Sequence, residues 1–413
     1  MSQEGTSTYH SLDVGCGSKP KGDVNVDFFE QGFNVNAGNQ VQGEYMSPKE
    51  IRNFLIADHS HLPFKDGSFN VVLSWHTIVH VKDPFLMFRE LCRVANRKVI
   101  VRCPHREGSE AVMSHHINFF NEAWFKKASD AIGLPNRQFI TAFDYPISAR
   151  LEKTPLRIAR KTLPWRAFKR FERQRLMRKI HVPLEVEAWV KKQNSPAENG
   201  NAKYVVVYNI PSIYETAFSS SHYIPRADVE AYFNTKHDPL PVFYNKTVKK
   251  YLNENVWFVF CHQDFILEEE LQERLKCKDA ETIYGPIGVR IGAGTLTGMI
   301  TQTDGTQVGR RLDEDTPVQT LDEMCLIAHS SLFQKGLSFD ERFAFHFYGA
   351  DLCIQAYTLG FDVMAMPLNC QHKSRTIHGD LHSPEYLSSR ELLRRKWERF
   401  LPIRTTTTTL EAE

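Results

Sequence analysis

The sequence predicts an α/β protein built from two successive domains. Short apolar runs alternate with helical stretches over residues 11–133, and a second series of this kind follows residue 203. Between them, residues 193–202 (QNSPAENGNA) are polar, contain Pro and Gly and lack periodicity, as domain linkers do. The length of 413 residues also exceeds what a single core usually supports. We therefore expect one domain over residues 1–192 and another over residues 203–404.

Composition and charge exclude several classes of protein. Hydrophobic residues make up 42% of the chain and charged residues 24%, as in folded proteins rather than disordered or collagen-like ones. The 51 Lys and Arg residues nearly balance 49 Asp and Glu, which excludes a surface that binds nucleic acid or anionic lipid as a whole. The eight cysteines are scattered without C-x-x-C pairs, as is typical of reduced thiols. With no signal-peptide pattern and no long apolar run, we expect a cytoplasmic protein.

In the first domain, five apolar runs have the length and composition of buried parallel strands. They read SLDV, VNVDF, FLIAD, FNVVLS and KVIVRCP, and PFLMFRELCRVA between the last two has helical spacing. Such alternation predicts a doubly wound sheet. A further strand, PLEVEAWVKK, is expected to rejoin the same sheet.

The first of these strands is followed by a glycine turn. Gly15 and Gly17 in LDVGCG lack a Cβ atom, so the backbone can turn sharply there and a ligand can lie against it. Asp27 ends the second strand, where its carboxylate suits the two hydroxyls of a ribose. Asp58 follows the third strand, where it suits an adenine amino group. A dinucleotide-binding fold would place a third glycine where this chain has Lys-Pro.

Three successive strings resemble the motifs of class I S-adenosylmethionine (SAM)-dependent methyltransferases, in order and in spacing. They are LDVGCGSKPKGDVNVD, ADHSHLPFKDGSFNVVLS and PFLMFRELCRV, and they cover most of residues 11–106. The resemblance implies a Rossmann-like fold with SAM as cofactor, in a subgroup with a short loop after Gly17. The site residues that it implies are Asp13, Gly15 and Gly17 for the methionine part, Asp27 for the ribose, Asp58 and His59 for the adenine, and Ser74 under the transferred methyl group.

Methyl transfer to a hydroxyl requires a base, and histidine suits that task at neutral pH. Five histidines fall at or beyond the carboxyl ends of predicted strands, namely His76, His80, His105, His115 and His116. We select His105 and His116 as candidate catalytic residues. In the family a glutamate often precedes the histidine that matches His80, whereas this chain has Val79 there.

A strongly basic segment interrupts the first domain at about residues 150–180. From Arg150 to Lys179 it contains 12 Lys and Arg against 2 Asp and Glu, and its aromatic residues lie on one helical face. Four roles are open to this segment. It could pack between the domains with its charges solvated, or cover the acceptor cleft. It could also associate peripherally with the inner face of a membrane, or bind RNA phosphates. We expect no nucleic-acid partner.

In the second domain the apolar run VWFVFC ends in His262-Gln263-Asp264, where α/β sheets place ligand-binding groups. Mg²⁺ or Mn²⁺ on a nucleotide-sugar diphosphate needs few protein ligands, because phosphates and waters fill the other positions. Asp264 is one candidate ligand, and His372, just after the last predicted strand, is another.

Three further residues are placed to frame a nucleotide. Tyr208 and Asn209 end the first strand of the second domain, and Asn245 opens a predicted helix. We expect them to contact a nucleotide-sugar donor together with Asp264.

These strings resemble a family 2-like glycosyltransferase of the GT-A fold, in a branch with HQD where other members carry D-x-D. The resemblance runs from about Lys203 to Ser374 and includes VFYNKTVKKYLNENVWFVFCHQDF and FDERFAFHFYGADLCIQA. It implies that Asp264 and His372 hold the metal and that Asp351 deprotonates the acceptor in an inverting transfer. The alternative for Asp351 is a carboxylate stabilised by a helix dipole.

Together these features predict a bifunctional enzyme that glycosylates a glycan or lipid-linked saccharide and O-methylates a sugar hydroxyl. One alternative is a methyltransferase with a non-catalytic glycan-recognition domain. Another is an RNA methyltransferase that uses the basic segment. The threonine-rich end, residues 405–413, is expected to be disordered.

Overall fold

The chain folds into two compact units, Met1–Gln193 and Asn194–Glu413, in a computed structural model. The structure describes residues 10–17, 19–28, 49–107, 116–146, 181–192, 197, 199–291, 295–302, 304–372 and 381–411. The basic segment at 150–180 and His115 lie outside these residues. Among the described residues, no helix has both the length and the apolar character that crossing a bilayer requires.

The described part of unit 1 forms a seven-stranded sheet with the order β3-β2-β1-β4-β5-β7-β6. Neighbouring strands from β3 to β5 are parallel, whereas β7 is antiparallel to both β5 and β6. The strands are β1 (Ser11–Val14), β2 (Val24–Asp27), β3 (Phe54–Ile56), β4 (Phe69–Trp75), β5 (Ala95–Pro104), β6 (Arg137–Pro146) and β7 (His181–Lys191).

In the described part of unit 1, two α-helices cover this sheet, and the sequence shows why they begin where they do. Helix α1 (Pro84–Val94) follows Asp83, whose carboxylate accepts a hydrogen bond from Leu86 N at 2.9 Å. Helix α2 (Glu122–Ala131) follows Asn121, which caps it in the same way. Such caps satisfy N–H groups that have no partner within the helix. Both helices pack apolar side chains onto the core of the sheet.

The prediction of a doubly wound sheet is confirmed in unit 1, with parallel pairing from β3 to β5. The strand order reverses between β1 and β4, since β2 and β3 lie on one side and β5 on the other. Ligands of open α/β sheets bind in the crevice outside the carboxyl ends of the strands at this switch point. The fold therefore places a ligand site where the glycine turn leaves β1.

Unit 2 contains a second seven-stranded sheet, of order β16-β19-β12-β18-β10-β8-β9, and a smaller sheet of order β11-β20-β14-β13-β17 with β15 paired to β14. Strand β18 is antiparallel to both neighbours, so the larger sheet is mixed. The strands are β8 (Ala202–Tyr208), β9 (Val229–Phe233), β10 (Trp257–His262), β11 (Phe265–Leu267), β12 (Thr282–Gly285), β13 (Ile287–Val289), β14 (Leu296–Gln302), β15 (Gln307–Arg310), β16 (Thr316–Pro317), β17 (Thr320–Leu321), β18 (Cys325–His329), β19 (Asp362–Ala365) and β20 (Cys370–His372).

Six helices belong to the described part of unit 2. They are α3 (Pro211–Ser220), α4 (Leu240–Tyr251), α5 (Gln272–Leu275), α6 (Ser330–Gln334), α7 (Tyr348–Thr358) and α8 (Pro384–Lys396). The run EEELQERLK forms only the single turn α5. Asn245 lies inside α4 rather than at its start, because the helix begins at Leu240.

The end of the chain corrects another expectation. Disorder is not found over residues 405–411, because β21 (Ile403–Arg404) and β22 (Thr409–Leu410) form an antiparallel hairpin. The Thr406 hydroxyl donates to Asp322 Oδ2 at 2.6 Å, and Leu410 is buried. Threonine suits strands, and burial of one apolar residue anchors the hairpin.

Candidate functional sites

The glycine turn of unit 1 lies at the switch point of the sheet. Gly15 and Gly17 have φ values of +76° and +54°, a region that side chains disfavour. The N–H groups of Gly15 and Cys16 both donate to Val26 O, at 2.8 and 3.2 Å, so the turn is tied to β2. The backbone therefore presents an open loop at the edge where a ligand is expected.

Two carboxylates hold this loop in shape. Asp13 Oδ2 accepts a hydrogen bond from Lys21 N at 2.9 Å, and its side chain is almost fully buried. Asp27 Oδ2 accepts from Gly17 N at 2.9 Å, and its Oδ1 accepts from Phe28 N at 2.7 Å. The structure thus brings Asp13, Gly15, Gly17 and Asp27 together, as predicted for parts of one binding loop.

The predicted adenine contacts lie beyond β3. Asp58 Oδ1 accepts hydrogen bonds from Ser60 N at 2.8 Å and Ser60 Oγ at 2.5 Å. These bonds lower the pKa of Asp58 and keep it ionised. Burial lowers the pKa of His59, against the attraction of Asp58 and Asp27, so this imidazole is neutral at physiological pH.

Ser74 is fully buried in β4 beside β1. Its hydroxyl makes no hydrogen bond among the described residues, although buried hydroxyls normally do.

The two candidate base residues differ in their surroundings. His105 Nδ1 accepts from Glu107 N at 3.2 Å, while Nε2 lies 3.3 Å from Glu122 Oε2. Both ring nitrogens therefore take part in local contacts, as in a structural histidine. His116 instead packs its ring 5.0 Å from that of His80. The next residue, Ile117, donates its N–H to Val79 O at 2.9 Å, which places His116 beside the turn after β4.

In unit 2, three side chains meet where β10 ends and β20 runs alongside β11. His262, Asp264 and His372 each offer a ligand atom, and these atoms lie within 4.8 Å of one another. His372 Nε2 is 3.2 Å from Asp264 Oδ1. Phe265, the residue after Asp264, pairs with His372 across the β11–β20 ladder. The structure thus brings together the two predicted metal ligands and adds His262.

The sequence carried a signal for His262 that the prediction missed. That signal is the spacing of the HQD string, in which His262 lies two residues before Asp264 at the turn between β10 and β11. His262 Nε2 lies 3.1 Å from the Tyr348 hydroxyl, and its ring stacks on Phe345 with centroids 5.7 Å apart. These contacts orient the imidazole toward the cluster.

The three side chains of the cluster differ in charge. Burial would lower the pKa of His372, but its contact with Asp264 raises it, so a proton on His372 competes with a bound cation. Burial alone would raise the pKa of Asp264, but the His372 contact and nearby imidazoles lower it, so its carboxylate is ionised. Burial lowers the pKa of His262 to about 4 and leaves it neutral. Two imidazoles beside one carboxylate suit a first-row transition ion such as Mn²⁺ better than Mg²⁺, which prefers oxygen ligands. The residues present therefore fit a transition ion.

Two of the predicted nucleotide contacts, Tyr208 and Asn209, lie at the end of β8, the strand that pairs with β10 beside this cluster. Tyr208 at the end of β8 stacks on Tyr214, with centroids 4.4 Å apart, and on Phe233 at 5.2 Å. The side chain of Gln263 accepts from Asn209 N at 3.0 Å and donates to its side-chain oxygen at 3.0 Å. The HQD string is thus linked directly to the end of β8.

Asn245 and Asp351 have structural surroundings. The Asn245 amide donates to Phe339 O and to Glu341 Oε1, both at 2.9 Å, and so holds the turn before α7. Asp351 is fully buried in the first turn of α7. Its carboxylate contacts Lys396 Nζ, Trp397 Nε1 and Gln355 Nε2, each at 2.7 Å.

The surroundings of Asp351 do not suit the role of an acceptor base. Burial raises the pKa of this carboxyl, while Lys396 acts against the rise. A base must reach the proton that it accepts. In this structure the Asp351 oxygens are covered by α8 and by the tryptophan that follows it. The geometry favours the structural alternative.

Comparison with known proteins gives a family match in the N-terminal unit. Residues 12–102 match the family model of the methyltransferase domain. Norajmaline N-methyltransferase of Rauvolfia serpentina is 33% identical over 99 residues, a match that covers 20% of this chain and 31% of that protein. The chain thus spans about a third of the length of this curated relative.

Similar solved structures include a SAM-dependent methyltransferase of Thermotoga maritima and a phosphoethanolamine N-methyltransferase 2 of Haemonchus contortus. They are 17% and 15% identical to this chain, with TM-scores of 0.30 and 0.29. Each match covers 45% of this chain, and 84% and 49% of the respective neighbour. The family match over residues 12–102, together with the order of the strands in unit 1, shows that the N-terminal unit contains a class I SAM-dependent methyltransferase domain.

Proposed function

We propose that unit 1 transfers a methyl group from SAM to a sugar hydroxyl. The observation that carries this proposal is the glycine turn at the switch point, with Asp27 bonded to Gly17 N. SAM supplies a methyl group on a sulfonium centre, so the protein has to orient the acceptor oxygen in line with that carbon and take up its proton. Gly15 and Gly17 let the cofactor approach the backbone, and Asp27 binds the ribose hydroxyls.

His116 is the base that the geometry supports better. Its neighbour His105 holds Glu107 N and Glu122 through both ring nitrogens, whereas His116 lies beside His80 after β4. A neutral imidazole there accepts the hydroxyl proton as the oxygen attacks. His105 then serves to position the segment that contains His116. Substitution of each histidine in turn distinguishes the two roles, because loss of the base abolishes methyl transfer.

For unit 2 we propose metal-assisted transfer of a sugar from a nucleotide donor, and the His262–Asp264–His372 cluster supports this proposal. A bound ion neutralises charge on the donor diphosphate. The three side chains would hold that ion at the end of β10. Asn209, held by Gln263, and the ring of Tyr208 lie at the neighbouring strand end, where a nucleoside is expected.

The buried state of Asp351 favours a second candidate for unit 2, a non-catalytic glycan-recognition domain. Its carboxylate is occupied by Lys396 and Trp397, so the described residues do not show this group in reach of an acceptor. In either case the acceptor is a glycan or a lipid-linked saccharide. A tethered second site sees the product of the first at high effective concentration, which gives a physical advantage to the fusion.

One binding experiment separates these candidates. The whole protein is heated with S-adenosylhomocysteine (SAH), and separately with UDP, GDP, CDP or dTDP with and without Mn²⁺, and the hits are measured by calorimetry. A ligand that binds the native state raises its stability by mass action. Two active units are supported if SAH stabilises the protein and one of the nucleotides also does so, the nucleotide only when Mn²⁺ is present. A response to SAH alone supports the recognition domain, and no response to SAH overturns the methyltransferase proposal.

A further inference from the structure

The side chain of Lys21 spans the crevice at the switch point of unit 1. Its backbone N–H donates to Asp13 Oδ2 at 2.9 Å, which fixes the residue against the end of β1. Its Nζ lies 4.3 Å from the centre of the Trp75 ring, at the end of β4. Because β1 and β4 are the strands between which the sheet order reverses, the ammonium lies where the fold places a ligand.

The surroundings of this ammonium favour an additional anion. Arg102 places its Cζ 4.1 Å from the same Trp75 ring, so two cations share one aromatic side chain. Arg102 has a carboxylate partner, Glu187, at 2.5 Å. Lys21 Nζ donates to a neutral oxygen, Lys19 O, at 3.0 Å, and the Asp13 carboxylate offsets part of the effect of burial on its charge. An anion beside Lys21 would relieve the repulsion between the two cations.

Lys21 also faces the glycine turn. Its positive charge acts on the thiol of Cys16, opposing the rise in the pKa of that thiol that burial, Asp13 and Asp27 cause. Cys16 lies between Gly15 and Gly17, where the methionine part of SAM is proposed to bind. That part of the cofactor ends in a carboxylate, whereas a sugar hydroxyl carries no charge.

We propose that Lys21 binds the carboxylate of the methionine part of SAM. This inference rests on the proposed function of unit 1 and adds a cofactor-binding residue to it. The Lys21 ammonium forms a charge-assisted hydrogen bond with one carboxylate oxygen. Its contact with the Trp75 ring keeps the lysine side chain oriented toward that carboxylate.

The test measures three ligands that differ in one group. SAH carries the carboxylate, S-adenosyl-3-thiopropylamine lacks only that carboxylate, and 5′-methylthioadenosine lacks the whole amino-acid end. Dissociation constants are measured by calorimetry for the full-length wild type and for Lys21→Met, Lys21→Arg and Lys19→Met. Lys19 is an exposed lysine two residues away and serves as the matched control.

We expect Lys21→Met to weaken SAH binding by about 10- to 100-fold, the usual effect of a lost hydrogen bond to a charged group. The two ligands without a carboxylate should bind Lys21→Met as they bind the wild type, which also shows that the variant is folded. Lys21→Arg should retain most of the SAH affinity, and Lys19→Met should retain all of it.

Two results would overturn the inference while leaving the methyltransferase proposal intact. One is an unchanged SAH affinity in Lys21→Met. The other is an equal loss for all three ligands, which would show that Lys21 acts on the fold of the loop. If the wild type binds none of the three ligands, the proposed function fails and the inference fails with it.

Discussion

Gly15 and Thr77 hold the ends of β1 and β4 together. The Thr77 hydroxyl donates to Gly15 O at 3.2 Å, and a Cβ atom on Gly15 would lie 2.0 Å from Thr77 Oγ1. No real Cβ contact is that short. Residue 15 therefore has to be glycine for two reasons, its φ of +76° and the closeness of the Thr77 side chain. The close approach joins the glycine turn to the strand that carries Ser74 and Trp75.

We expect Gly15→Ala to abolish measurable SAH binding and to destabilise unit 1 by about 3 kcal/mol or more, because strain and steric overlap add. Gly133→Ala is the matched control, since Gly133 has a φ of +72° and a Cβ atom there would meet no other atom within 4 Å. The control should lose only about 1–2 kcal/mol, the cost of a left-handed backbone. Denaturant unfolding and SAH calorimetry measure both effects. Equal losses in the two variants would contradict the role of Thr77.

Asp27→Asn should weaken SAH binding by about 10-fold or more, because a charged acceptor for ribose hydroxyls becomes neutral. Asp23→Asn is the control. Asp23 Oδ2 accepts from His10 N and Ser11 N, both at 3.1 Å, at the opposite end of β1. That variant should lose stability and keep its SAH affinity. Normal SAH binding by Asp27→Asn would exclude the ribose contact.

His262→Ala, Asp264→Ala and His372→Ala should each remove the thermal stabilisation that Mn²⁺ gives to the whole protein, since each deletes one donor of a three-residue set. His346→Ala is the control, because His346 lies close enough to affect the pKa of His262 but packs its ring on Tyr386 and is not part of the three-residue set. Calorimetric titration with Mn²⁺ alone, followed by Mg²⁺, checks the choice of ion. Stronger binding of Mg²⁺ would contradict the preference inferred from two imidazoles.

Asp351→Asn should lower the stability of unit 2 by about 2 kcal/mol, because Lys396 and Trp397 lose a charged acceptor while Lys396 keeps Asp340 as a partner. The melting temperature of this variant is compared with that of Asp340→Asn, which removes a more exposed partner of the same lysine. A stable Asp351→Asn protein that had lost sugar transfer would restore the catalytic role that the sequence predicts.

Glu323 should make unit 2 less stable as the pH rises. Its carboxylate accepts from Gly349 N at 2.9 Å at the start of α7, and burial raises its pKa to about 8. In the unfolded chain a glutamate releases its proton near pH 4.3. Between these two values the folded state retains more protons than the unfolded state, so stability falls from about pH 4.3 to about pH 8 and levels off above.

Glu323→Gln keeps an acceptor for Gly349 N and removes this proton release. We expect the variant to melt about 2–5 °C above the wild type at pH 8 and to show no such gain at pH 5. Thermal melts across pH 5–9 test this, with the exposed Glu398→Gln of the same unit measured alongside for comparison. A gap between Glu323→Gln and the wild type that did not change with pH would show that Glu323 is ionised throughout.

Local chemistry was sufficient to predict β1 to β5 and β7 of the sheet in unit 1, whereas the edge strand β6 was not predicted. Each of β1 to β5 is a short apolar run, so its strand character is written into neighbouring residues, and the order of such runs limits the connections available. The glycine turn and Asp27 were predictable for the same reason, since a positive φ and a strand-end carboxylate are properties of short segments. Matches to a known family then assigned the cofactor.

Tertiary structure decided what each polar side chain contacts. Asp351 and Asn245 stand in strings that the sequence associates with chemistry, yet long-range contacts with α8 and with the turn at Phe339 occupy them. His262 and Asp264 meet His372 only because β20 pairs with β11, although the two strands are separated by more than 100 residues of the chain. Lys21 likewise contacts Trp75 only because β1 pairs with β4. Sequence determines which residues can form strands and turns, whereas the environment of a charge depends on pairing between distant segments, which no local pattern encodes.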